Sequence, residues 1–133
     1  MAYGTLQTDV INSSTGLFAT NNAYLGIAKA WANFGYVSSA VVINNSFNVS
    51  SITRTGTGAY TITFTTAMPN AYYSVASGIQ GANGGYSSTL VVLNAGSSPS
   101  APATTGFSIN TFGGSTTGTN FDPNQAYFAV FGN

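Results

Sequence analysis

The chain has 133 residues, only 3% of them charged, and a formal net charge of zero. Asp9, Lys29, Arg54 and Asp122 are its whole ionic inventory, and it contains no His, Cys or Glu. That leaves no electrostatic footprint for nucleic acid or an anionic membrane, no thiol chemistry, and no ordinary set of metal ligands.

The length is that of one domain, and an apolar fraction of 44% is enough to close a core. More than a third of the residues are Ser, Thr or Asn, which favour turns and the wet faces of strands over helix interiors. No apolar run approaches the ~18 residues of a membrane span. The opening MAYGTLQTDVINSS has neither the basic start nor the apolar stretch of a signal peptide. A surface so poor in charge associates readily, which predicts a chain built into an assembly.

Residues 1–26 read as an arm. Tyr3, Leu6, Val10, Ile11, Leu17 and Phe18 are apolar, but their spacing sustains neither a helix nor one clean strand. Short extended pieces fit Thr5–Ile11 and Leu17–Ala19. The arm is either a strand tucked against its own domain or an anchor laid on another subunit.

From Ile27 onward the pattern is that of strands. In IAKAWANF, residues 27–34, Ala28, Ala30, Ala32 and Phe34 share one face, and Lys29, Trp31 and Asn33 the other. AVVINN at Ala40–Asn45 is a β-branched run. Ser46–Tyr73 reads as a hairpin. Phe47 and Val49 lead in, Gly56-Thr57-Gly58 reverses the chain, and Tyr60, Ile62 and Phe64 alternate with threonines on the way out. A strand is expected over Tyr72–Ser77, a loop over Gly78–Gly85, and strands over Ser87–Leu93 and Gly106–Phe112. Long loops follow the last two, at Asn94–Thr105 and Gly113–Asn124. Ala126–Phe131, apolar at nearly every position, suits a central strand. The fold class expected is all-β: a single antiparallel sandwich or jelly-roll-like domain of seven to eight strands over residues 27–133, preceded by the arm.

Chemistry is hard to find. Acid–base catalysis wants His or paired carboxylates, and the two aspartates fall in the arm and in the turn-forming Asp122-Pro123-Asn124. Lys29 is the only base that could activate a serine, and it alternates with Trp31 as a strand surface residue would. Asp122 with Asn120 and Asn124 is a thin candidate for calcium. No catalytic, cofactor-binding or metal site is assigned, and no cofactor is expected. Asn12, Asn44 and Asn48 open glycosylation sequons by chance, as an Asn- and Ser-rich chain must. Tyr36, Asn83, Tyr86 and Asn120 lie on or beside loops, where Tyr and Asn either stack on and hydrogen-bond a sugar or fill a subunit contact. Arg54, the sole guanidinium, either braces the turn beside it, caps a subunit contact or is solvated.

AKAWANF at Ala28–Phe34, SFNVSSITRTGTGAYTITFTTAMPNAYYSV at Ser46–Val75 and AVFGN at Ala129–Asn133 occur in an order that resembles a phage virion module. That module is found at the C-terminal end of tail fibres and in short stand-alone structural proteins of phages. The resemblance covers mainly residues 28–75; the chain departs from it at Gly35–Ala40 and in the loops after Gly78. It implies a non-enzymatic component of the virion, assembled in the bacterial host, with itself as a homotrimer and other virion proteins as partners. Two roles fit. One is a small outer capsid decoration (cement) protein gripping the shell or a neighbour through its arm, which the short length favours. The alternative is a short tail fibre or fibre tip, meeting a host receptor or glycan through its loops.

Overall fold

A computed structural model describes residues 10–13, 16–19, 26–80, 89–93, 101–113 and 119–132. They form eleven β-strands: β1 Val10–Ser13, β2 Gly16–Ala19, β3 Ala30–Val37, β4 Ala40–Phe47, β5 Val49–Gly56, β6 Ala59–Phe64, β7 Ser74–Gln80, β8 Thr89–Leu93, β9 Gly106–Gly113, β10 Thr119–Asn120 and β11 Gln125–Phe131. Eight of them, β3 to β9 and β11, run five residues or more.

The strands make two antiparallel sheets and a separate hairpin. One sheet has the order β4-β3-β11-β7. The other has the order β10-β9-β6-β5, and β8 also pairs with β9. Among the described strands β1 and β2 pair only with each other. The fold is the all-β sandwich that the alternating sequence predicts.

Alternation decides which face each strand buries. On β3, Ala30, Ala32 and Phe34 are buried, while Trp31 and Asn33 lie on the other face, half exposed. On β6, Tyr60, Ile62 and Phe64 are buried and Thr61 and Thr63 are half exposed. Ala126, Phe128 and Val130 do the same on β11. The two inner faces meet in one aromatic core. Phe34 of the first sheet packs edge-on against Tyr60 of the second, centroids 5.3 Å apart, and Phe107 of the second packs edge-on against Phe128 of the first at 5.2 Å. Edge-to-face contacts set the negative ring face against a positive ring edge, and they add to the area term.

The two-residue β10 at Thr119–Asn120 falls inside the loop expected at Gly113–Asn124, and two further boundaries differ from the sequence expectation. Phe47 does not enter the hairpin with Val49. It ends β4 in the first sheet, and the chain crosses to the second sheet through the single residue Asn48. Asn48 has φ of 54°, a left-handed turn that Asn tolerates better than most residues. Its Nδ2 donates to the carbonyls of Lys29 and Thr66, both at 3.1 Å, and its Oδ1 accepts from the Thr66 N–H at 2.7 Å. The sequon asparagine is thus a corner stitched to both sheets. Second, Gly78–Gln80 continue β7 instead of opening a loop. Gly78 faces Tyr127 of β11, whose ring lies where a Cβ would be, with ring atoms 2.6 Å from that position. The glycine makes room for the tyrosine.

Candidate functional site

The sandwich has a polar node at the end marked by the β5–β6 turn. Arg54, near the end of β5, donates from Nε to Asp122 Oδ1 at 2.9 Å and from Nη2 to Asp122 Oδ2 at 2.8 Å. Two parallel charge-assisted bonds of this kind fix geometry as well as adding energy. Nη2 also donates to Thr57 Oγ1 at 3.1 Å. The guanidinium lies over the Tyr36 ring, 4.6 Å from its centroid. Asp122 Oδ1 accepts two more bonds, from the Tyr60 hydroxyl at 2.7 Å and from the Gly58 N–H at 2.9 Å.

Local structure explains why these groups meet. Gly58 has φ of 66°, and a Cβ there would come within 2.7–2.9 Å of backbone atoms of Thr111 and Phe121. Only glycine lets the β5–β6 turn lie flat on the segment that follows β10. Thr111, fully buried, donates its hydroxyl to the Phe121 carbonyl, and its own N–H reaches the Gly58 carbonyl at 2.7 Å. The Tyr36 N–H bonds to the Pro123 carbonyl at 2.9 Å. The node therefore ties β3, the β5–β6 turn, β9 and the 121–123 segment together.

Electrostatics follow from the packing. Burial alone would raise the Asp122 carboxyl, but bonds from Arg54, the Gly58 N–H and Tyr60, together with the Arg54 charge, overcome it and hold the group at about 2. The hydrogen bond to Asp122 raises Arg54 further above its already high value, against a smaller opposing effect of burial. Burial, and then donation to Asp122, pushes the Tyr60 hydroxyl well up. Each group is fixed in the protonation state it already has at neutral pH. Such a site holds shape and does not exchange protons. The carboxylate considered for calcium is instead saturated by a cation and two neutral donors.

Of the residues proposed as contacts, Tyr36 and Arg54 come together at this end as a stacked pair, and half-exposed Asn120 lies two residues before Asp122. Asn83 and Tyr86 lie outside the described residues, as do Tyr3 and Leu6. Val10 and Ile11 fall on β1, and Leu17 and Phe18 on β2. Asp122 and Tyr60 were not expected in a node. The available signal was that an uncharged sandwich with one arginine has every reason to pair it with an aspartate.

The opposite end and one edge carry a different surface. Ile27, Phe47, Met68 and Pro69, together with Lys29 and Thr66, line a largely apolar groove of about 450 Å³ beside Asn48. Phe47 is 54% exposed and Val42 42% exposed, and Ile43 and Val37 are exposed beside them. All four lie on β4 or at the end of β3 that leads into it. No protein family, curated protein or solved structure matches the chain.

Proposed function

We propose that this chain is a non-enzymatic bacteriophage virion protein, a small trimeric decoration (cement) protein of the outer capsid. The observation that supports it is how the polar inventory is used. In the stretch that resembles the phage module, the one arginine is locked bidentate to the one aspartate of the body. The remaining distinctive asparagine, Asn48, is consumed in a corner. What the surface offers instead is poor in charge and partly apolar, suited to packing against other protein. A protein whose role is to cover and stiffen a shell needs such a surface and needs no reactive group.

The test is mass spectrometry of gradient-purified particles of the phage that encodes the chain. The chain should be present in the intact particle, in a copy number comparable with that of the major capsid protein. Its absence from purified particles would overturn the virion reading.

A further inference from the structure

We infer that the edge of β4 at Ala40–Ile43 receives the β1–β2 hairpin of a second copy of this chain. β4 is the outer strand of its sheet, and no described strand hydrogen-bonds its far side. Six of its eight residues are exposed. It carries no charge and no proline, the usual devices that keep an edge strand from pairing with other chains. The one device present is a bulge. The ladder with β3 shifts between Asn33 and Phe34, leaving Asn44 without an opposite residue. Asn44 Nδ2 donates to Asn33 Oδ1 at 2.8 Å across that shift. The bulge divides the edge, and Ala40–Ile43 is left as a regular four-residue stretch that includes exposed Val42 and Ile43 and begins opposite exposed Val37.

The hairpin has the complementary need. β1 and β2 are four residues each, paired from Val10↔Ala19 to Ser13↔Gly16, and belong to neither sheet of the body. A two-stranded hairpin alone is marginal in water and gains independent stability from a third strand or a surface to pack on. VINS and GLFA are uncharged and rich in Val, Ile, Leu and Phe. Among the described residues no ladder joins this hairpin to β4 of its own chain. A second copy meets both needs: the hairpin adds strands to β4, main-chain bonds supply affinity, and the absence of charge on either side removes any repulsion. Donor and acceptor surfaces differ, so the contact is head-to-tail, and it closes as a ring where each copy is related to the next by a three-fold rotation, as the proposed trimer requires. This deepens the self-association part of the proposed function and does not depend on where in a virion the ring sits.

The chain has no cysteine of its own, so engineered pairs report without background. Val42→Cys in one preparation is mixed with Ile11→Cys or Phe18→Cys in another, under oxidation, with Tyr72→Cys as the acceptor-side control. Tyr72 is 93% exposed and lies outside β4. Circular dichroism and Trp31 fluorescence confirm that each variant is folded. A mixed disulfide at Val42 well above the Tyr72 control, lost when Ile43→Lys is added, is the expected result. Cross-linking no greater than the control overturns the inference, even if light scattering shows a trimer; the proposed function would then stand with another interface. A double variant that closes only within its own chain also overturns it, because the occupant would be the chain's own hairpin.

Discussion

Arg54 grips Asp122 through both Nε and Nη2, at 2.9 and 2.8 Å, across 68 residues of chain. Asp122 is the richer partner, since its carboxylate also holds the Gly58 N–H and the Tyr60 hydroxyl. Asp122→Ala should cost about 2 kcal/mol in urea unfolding, because several donors lose their acceptor together. Arg54→Ala should cost less, because the carboxylate it leaves still accepts from Gly58 and Tyr60. A double-mutant cycle should show favourable coupling between the two residues. Equal losses with no coupling would refute the idea that this pair ties the turn to the 121–123 segment.

Stability should barely change between about pH 5 and pH 9, since the chain lacks the His, Cys and Glu that could titrate in or near that range. Below it, Asp122 matters. Its folded value of about 2 lies beneath the ordinary 3.8. A carboxylate made more acidic by folding stabilises the fold above its unfolded pKa and loses that contribution as pH falls through the folded one. The loss should therefore fall between about pH 4 and pH 2 and amount to about 1 kcal/mol after solvent screening. Tyr60 and Tyr73, both raised by burial, act in the opposite sense: their contribution is whole below about pH 10 and declines above it. Thermal melts of wild type and Asp122→Asn across this range check both limbs; the acid limb should shrink in the variant.

The corner at Asn48 combines a left-handed backbone with three side-chain hydrogen bonds. Asn48→Gly keeps the backbone freedom and loses the bonds, so it should cost roughly 1–2 kcal/mol. Asn48→Ala loses both and should cost roughly 2–3 kcal/mol. Chemical denaturation orders the two. Alanine better tolerated than glycine would contradict the assignment of the corner.

The β3–β4 hairpin turns on Ser38 and Ser39, with φ of 51° and 65°. Two residues of positive φ are what a two-residue hairpin needs, and Asn-Gly is the pair that supplies them at least cost. Ser39→Gly should raise stability by about 1 kcal/mol, and Ser38→Asn should add to it. A fall in melting temperature for the pair would refute this reading of the turn.

Much of this architecture was legible in the residue pattern, because strands alternate. Ala30, Ala32 and Phe34, then Tyr60, Ile62 and Phe64, announced their buried faces, and the apolar run at Ala126–Phe131 announced a strand with neighbours on both sides, β3 and β7. Failures came where alternation carries no information. Phe47 and Val49 keep period two straight through Asn48, yet the chain changes sheets there, since one left-handed residue redirects a strand without disturbing its pattern. Gly78 reads as a loop former until Tyr127 is seen lying over it. The Arg54–Asp122 pair has no local signature, because its partners are distant in sequence and only the folded turn brings them together. The unpaired edge of β4 was also hidden: AVVINN reads as a strand but does not say whether one neighbour or two will cover it.

The proposed role requires a place on the outer capsid. Immunogold labelling of intact virions in negative stain, with an antibody raised to this chain, tests it most directly. Label distributed over the capsid surface is the predicted result; label confined to the tail would contradict it and assign the chain to a fibre or fibre tip.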